Sequence, residues 1–189
     1  MIVPKKKIGQ EKPELRVCVN YKKLNKFLAD PSYKAHNIEG FREYFEKCLW
    51  FTCLDFRDAF TQIPLHPESQ PFTAFGYRQS VYCFTRVCFG MSSSMQAFIM
   101  AVGELFKDLP FVMQYIDDVI IASQTEEEHL EHVEKALTIL DASGLTLNLR
   151  KCEFFKGELT FLGYRIDEVG ICPDVEKVAA LVDAEPPDT

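Results

Sequence analysis

No Cys-x-x-Cys spacing occurs among the seven cysteines, which stand at positions 18, 48, 53, 83, 88, 152 and 172. The odd count and the scatter argue against a disulfide framework or a zinc site. They read as thiols of a reducing compartment, used mainly as small core residues. No run approaches ~18 uninterrupted apolar residues, so no membrane span is expected. No secretory signal opens the chain, which reads as intracellular, in cytoplasm or nucleus, and no repeat or low-complexity tract interrupts it. A positive charge excess is also missing. The net charge is −7 over 189 residues, a balance that does not by itself advertise a nucleic-acid binder.

What is present is an ordinary globular composition, 47% hydrophobic and 26% charged, with sixteen Phe and seven Tyr to fill a core. The length suits one domain, or one with an appendage. Charge is unevenly spread: residues 1–26 hold seven Lys and one Arg against two Glu. A basic head on an acidic body suits a phosphate-binding surface beside a metal-binding one, though a solvated basic strand pair would look the same.

The chain divides into short elements. The basic run Lys5-Lys6-Lys7 and the alternating Leu15 to Val19 predict a β-hairpin with cations near its tip, able to close over phosphates. A helix is expected over 38–49, capped by Asn37 and packing Phe41, Tyr44, Phe45 and Cys48. Trp50 to Asp55 reads as a buried strand ending in an acid, and Phe72–Gly76 and Val81–Val87 as two further strands. Met95, Phe98, Ile99, Val102 and Phe106 recur at helical spacing over 93–108, stopped before Pro110. A second helix over 126–142 starts on the capping box of Thr125 and Glu128, buries Leu130, Val133, Leu137 and Leu140, and ends at Gly144. Phe154-Phe155 and Leu159 to Ile166 read as a closing hairpin.

Tyr115-Ile116-Asp117-Asp118 sits between the apolar runs Phe111–Met113 and Val119–Ala122. The order reads as strand, turn, strand, with the two acids as the turn residues. A soluble hairpin tip explains it as well as a site does. Adjacent strand residues point to opposite faces, so both carboxylates reach one ion only if the turn rotates one back. Asp55 is a third acid at a strand end. Such hard oxygen donors suit Mg²⁺, and a pair of ions ~3.5–4 Å apart is machinery for in-line phosphoryl displacement. Acids, basic hairpin and an antiparallel sheet backed by two helices together suggest a nucleotidyl transferase of α+β class.

Six blocks then stand in order: Leu15-Arg16 through Tyr21-Lys22-Lys23-Leu24-Asn25; Leu54-Asp55-Phe56-Arg57-Asp58-Ala59-Phe60; Phe89-Gly90-Met91-Ser92; Tyr115-Ile116-Asp117-Asp118; Gly144 to Cys152; and Phe161-Leu162-Gly163-Tyr164. In these the chain resembles the reverse transcriptase of gypsy-type long-terminal-repeat retrotransposons, and more distantly of retroviruses. The resemblance implies a right-hand polymerase fold, with fingers at 1–29 and 64–88, palm at 30–63 and 89–172, and the start of a thumb or linker at 173–189. It implies an RNA-directed DNA polymerase fragment that adds deoxynucleotides to a primer 3′-hydroxyl on an RNA or DNA template. Two Mg²⁺ ions, replaceable by Mn²⁺, would be held by Asp55, Asp117 and Asp118, with Asp117 the better bridging ligand and Asp118 further off.

By the same resemblance, the triphosphate would meet Lys6 (of Lys5, Lys6 and Lys7), Arg16, the backbone of Asp58 and Ala59, and Gly90. Phe60 would be the steric gate against a ribose 2′-hydroxyl, and Lys151 the proton donor to pyrophosphate, although a core aromatic and a surface lysine are the bland readings. Phe161, Leu162, Gly163 and Tyr164 would be the primer grip. The partners implied include the thumb, ribonuclease H and integrase portions of a polyprotein. Met95 stands where the family usually has Pro, Asn20 where it has Asp, and Lys34-Ala35-His36 where a Pro-rich link is usual. A domesticated, non-catalytic binding or scaffold module is therefore the alternative function. A different metal-dependent phosphotransferase, such as a nucleotide cyclase, is a third reading.

Overall fold

The computed structural model describes residues 2–5, 14–28, 44–45, 47–167 and 170–173, with the backbone alone for 2–5 and 14–17. The chain forms two compact units, Met1–Lys34 with Phe56–Leu105, and Ala35–Asp55 with Phe106–Thr189. Helices and antiparallel sheets mix in both, as an α+β chain should.

In the first unit, β1 (Ile2–Lys5) and β2 (Glu14–Val17) form the expected antiparallel hairpin, Val3 opposite Arg16. Its tip, Lys6 included, lies outside the described residues. The next hairpin is shorter than the sequence suggests, with β4 (Phe75–Tyr77) against β5 (Ser80–Tyr82). Phe72 and Thr73 belong instead to a 3-10 segment, Pro67–Thr73. Two prolines withhold the N–H groups a strand needs there. The Thr73 hydroxyl donates to the Gln70 carbonyl at 2.7 Å and accepts from Phe84 N–H at 2.8 Å. Beyond β5, Arg86 bridges to Pro64 alone. Helix α1 (Ser94–Phe106) follows its periodicity, burying Phe98 and Val102 completely.

The second unit is built on a four-stranded antiparallel sheet. β3 (Trp50–Asp55) lies between β7 (Asp118–Ser123) and β8 (Glu153–Lys156), and β6 (Val112–Tyr115) lies outside β7. Val119, Ile120 and Ile121 are fully buried, so β7 is covered on both faces and needs apolar residues at successive positions. On one face the sheet meets α2 (Glu126–Ser143). On the other, Phe51, Ile120 and Ala122 pack with Phe45, Met113, Leu159, Phe161 and Ile166.

Helix α2 starts as read: the Thr125 hydroxyl accepts Glu128 N–H, the Glu128 carboxylate accepts Gln124 N–H, and Gly144 closes it at φ 73°. Its buried stripe, however, is His129, Val133, Ala136 and Leu140, while Leu130 is exposed. The expected hairpin after residue 153 also differs. Phe154 and Phe155 lie in β8, an edge strand on β3, and the hairpin forms within the later block. There β9 (Leu159–Phe161) turns at Leu162 and Gly163 into β10 (Tyr164–Asp167), and β11 (Gly170–Pro173) pairs beyond it. Only Tyr44 and Phe45 of the expected first helix are described as helical; most of it, with Asn37, lies outside the described residues. None of the seven cysteines is in a disulfide, but only Cys88 is buried, with Cys83 and Cys172 exposed.

Candidate active site

Register decides which acids meet. Pairing runs unbroken from Trp50 opposite Ser123 to Asp55 opposite Asp118. Side chains alternate along a strand, so Asp55 shares a face with Phe51 and Cys53, and Asp118 shares it with Ile120 and Ala122. The two carboxylates therefore stand on the same face at the same end of adjacent strands.

The turn is displaced by one residue from the sequence reading. β6 ends at Tyr115, which pairs with Asp118, so the turn residues are Ile116 and Asp117 rather than the two acids. Asp118 is already a strand residue, claimed by partners on both sides. A two-residue hairpin wants a positive φ at its first central position, and Ile116 supplies it at 56°. For a β-branched residue that is a strained angle of roughly 1–2 kcal/mol. The Gln114 amide donates to the Ile116 carbonyl at 3.2 Å and steadies the turn.

Asp55 is held from three directions. Its carbonyl accepts Asn148 N–H at 2.8 Å, its N–H donates to the Cys152 thiol sulfur at 3.3 Å, and its Oδ2 accepts from the Lys151 ammonium at 3.0 Å. Cys152 and Asn148 were not legible as supports. Both lie in a motif block, but nothing in the letters says that they grip the Asp55 peptide.

The electrostatics of the cluster are unbalanced. Partial burial pushes the Asp117 carboxyl above its ordinary value, the Asp55 charge adds to this, and Lys151 opposes it. Asp118 is raised by burial first and then by Asp117 and Asp55, again opposed by Lys151. The Cys53 thiol beside them is pushed up to about 12, by burial and then by the Asp118 charge. Carboxylates that resist ionisation because of one another form a site wanting cationic charge. Their all-oxygen donor set fits a hard divalent ion. Among the described residues no three His, Cys, Asp or Glu side chains are gathered closely enough to hold an ion; Asp55 turns its oxygen to Lys151 instead.

The proposed grip divides in two. Phe161 is buried and meets the Tyr115 ring edge-on at 5.5 Å, whereas Leu162 and Gly163 form the turn, at φ 51° and 82°.

Tyr164 opens β10 opposite Phe161, and the remaining sequence-predicted residues lie in the first unit. Asp58 has φ 47° and heads the 3-10 turn Ala59–Gln62. Phe60, half-buried, packs on Phe89 at 5.5 Å and Phe98 at 6.1 Å, so it has a packing role whatever else it does. Gly90 has φ 99°, and a Cβ there would lie 2.8 Å from the Val19 carbonyl oxygen. Glycine is required at that contact. Asn25 staples the same loop, its amide donating to the Gly90 carbonyl and its carbonyl accepting Ser92 N–H. Arg16 is placed by backbone only.

Comparison with known proteins gives the family. The profile of the family described as reverse transcriptase (RNA-dependent DNA polymerase) matches residues 3–166. The retrovirus-related Pol polyprotein from transposon 297 of Drosophila melanogaster is 33% identical over 96% of this chain, which spans only 17% of that relative. A foamy viral protease–reverse transcriptase solved with double-stranded DNA superposes with a TM-score of 0.83 at 26% identity, covering 98% of this chain and 32% of that one. The foamy viral enzyme solved with an RNA/DNA hybrid gives 0.77 at 25% identity, over 98% of this chain and 25% of the other. The chain belongs to the reverse transcriptase family of RNA-dependent DNA polymerases.

Proposed function

We propose that this chain carries the fingers and palm of an RNA-directed DNA polymerase, with fingers at 1–29 and 64–88 and palm at 30–63 and 89–172. The observation that carries the reading is the register that sets Asp55 opposite Asp118, with Asp117 in the adjoining turn. In this reading the three carboxylates hold two Mg²⁺ ions, for which Mn²⁺ can substitute. The chemistry the ions supply is activation of a primer 3′-hydroxyl and neutralisation of triphosphate charge. The reaction forms a phosphodiester bond at the deoxynucleotide α-phosphorus and releases pyrophosphate.

The chain's own residues set position and selectivity. Lys6 and Arg16 grip the triphosphate from the first hairpin. Asp58, Ala59 and Gly90 offer backbone to the nucleotide, and Phe60 bars a ribose 2′-hydroxyl. Lys151 gives a proton to the leaving pyrophosphate. Phe161, Leu162, Gly163 and Tyr164 form the primer grip, Leu162 and Gly163 at the tip of the β9–β10 hairpin and Phe161 paired with Tyr164 below it. Template, primer and the remaining portions of a polyprotein are the partners. The test is Mg²⁺-dependent deoxynucleotide addition to a primed RNA template, by this chain and by a longer polyprotein fragment containing it. Template-directed addition is expected, and Asp117→Asn should lower it by at least about a hundredfold, since ions of this kind supply several kcal/mol. Absence of addition by the longer fragment, or unchanged addition in the variant, would sink the reading.

A further inference from the structure

Lys151 is the one cation that contacts the acid cluster among the described residues, and its position is unlike that of a passive surface lysine. Its ammonium is 3.0 Å from Asp55 Oδ2, and its side chain is 57% exposed against 26% for Asp55. The backbone on which it rides is fixed to the residue it pairs with. Lys151 N–H and Cys152 N–H both donate to the Asn148 carbonyl, Asn148 N–H donates to the Asp55 carbonyl, and Asp55 N–H reaches the Cys152 sulfur. The root of the side chain is therefore held still while its four-carbon stem is free to swing.

We propose that Lys151 is a resident counter-cation, seated on Asp55 until a divalent ion takes that carboxylate, and released by that exchange toward the leaving phosphate. This rests on the metal reading given above. One ammonium faces three carboxylates, so it relieves their repulsion only in part, and a doubly charged ion is the better partner for the set. A half-exposed Lys–Asp pair is weak and exchanges readily with solvent. Lysine suits the role where arginine would not. A guanidinium would hold the carboxylate through two parallel hydrogen bonds, whereas an ammonium is a single point charge on a flexible stem. The exchange also explains how one residue can serve two states. While Asp55 lacks a metal its ammonium is occupied, and it becomes available as a donor only when the ions that bring in the triphosphate are in place.

The inference makes an unusual demand: removing this active-site residue should tighten metal binding. Mn²⁺ binding to the 189-residue chain, followed by calorimetry and by electron paramagnetic resonance of the free ion without nucleotide, reads this directly. Lys151→Met should lower the Mn²⁺ Kd by about threefold to tenfold, the range expected for losing one competing half-exposed charge. Lys151→Arg should leave the Kd unchanged or raise it. Melting without metal gives an independent readout: Lys151→Met should melt below wild type, because Asp55 loses its partner, yet gain more from added Mn²⁺. An unchanged or higher Kd in Lys151→Met, with binding still lost in Asp55→Asn, would overturn this inference and leave the metal reading standing. No Mn²⁺ binding by wild type, or binding indifferent to Asp55→Asn, would overturn both.

Discussion

At one end of the β3–β7 pair Trp50 faces Ser123; at the other, Asp55 faces Asp118. Both ends carry buried or half-buried polar groups, and they treat them in opposite ways. Near the Ser123 end the hydroxyls of Thr52 and Ser123 and both ring nitrogens of His129 are answered. Thr52 Oγ1 lies 2.7 Å from His129 Nε2, and Ser123 Oγ lies 2.8 Å from His129 Nδ1 and 2.9 Å from His132 Nδ1. Thr52 Oγ1 also accepts Phe155 N–H, which ties this network to β8. At the Asp118 end the groups repel one another, and among the described residues one exposed lysine, paired with Asp55, is the only cation in contact with the acids. The same two strands thus hold a closed network that fixes the sheet and an open one that waits for charge. Under the proposed metal reading, the acid end stays unsatisfied because it is to bind cations.

The sharpest way to break this contrast is to open the closed end. Ser123→Ala removes the hydroxyl shared by two histidines and leaves the buried Nδ1 of His129 without a partner. The expected loss is about 2–3 kcal/mol, because an orphaned buried polar atom forfeits its full desolvation penalty. The midpoint of urea unfolding measures it. A change within ~0.5 kcal/mol, the range of an ordinary surface substitution, would mean that the network is not closed as described.

Acid should act on the two ends with opposite sign. Burial, followed by the nearby His132, depresses His129 from 6.5 to about 4. A depressed folded value means that its contribution is complete above 6.5, where the unfolded ring is also neutral. The contribution is then lost as pH falls toward 4, where only the unfolded ring is protonated. Asp117 and Asp118 are raised, so the strain of their ionisation is present at neutral pH and disappears as acid protonates them. Wild type should lose up to about 2 kcal/mol from the histidine between pH 6.5 and 4. His129→Asn should flatten that part of the profile and leave the opposing carboxylate gain in view. A profile equally steep in the variant would place the acid sensitivity elsewhere.

How far this contrast was readable from the letters differs between its two ends. Trp50 to Asp55 was legible because an apolar run closed by an acid has one economical reading, a buried strand whose last residue leaves the core. Helix α2 was legible at both ends, since Thr125, Glu128 and Gly144 carry capping chemistry of their own. The three acids could be nominated, but their meeting depends on register between residues far apart in sequence, which no local pattern carries. The turn was misplaced because two adjacent acids look like turn residues, while the strained Ile116 does not. The His129 network was missed because the helix face was traced through Leu130 and Leu137. The truer stripe of His129, Val133, Ala136 and Leu140 runs through a histidine and an alanine that hydropathy underweights. Phe154 and Phe155 were assigned to the nearest hairpin because sequence favours local partners, whereas β8 pairs with β3 about a hundred residues upstream.

The smallest effect tests the open end where it touches the closed one, on the same strand. Asp118 begins β7 and Ser123 ends it. Replacing a polar side chain at the closed end should destabilise the protein, and replacing one at the open end should do the reverse. Asp118→Asn keeps the shape and removes a charge whose ionisation burial, Asp117 and Asp55 all oppose. Asp118 is partly exposed, so solvent screening discounts the gain to about 0.5–1 kcal/mol, a rise of roughly 1–4 °C in Tm without metal. The gain should shrink in high salt, which screens the same repulsion in wild type. If the three carboxylates hold Mg²⁺ as proposed, the gain should reverse when Mg²⁺ is added, because the variant would then hold that cation less well than wild type. If Asp118→Asn melts lower than wild type without metal, the acid end is held together as closely as the histidine end. The asymmetry along β7 would then be one of residue type and not of stored repulsion.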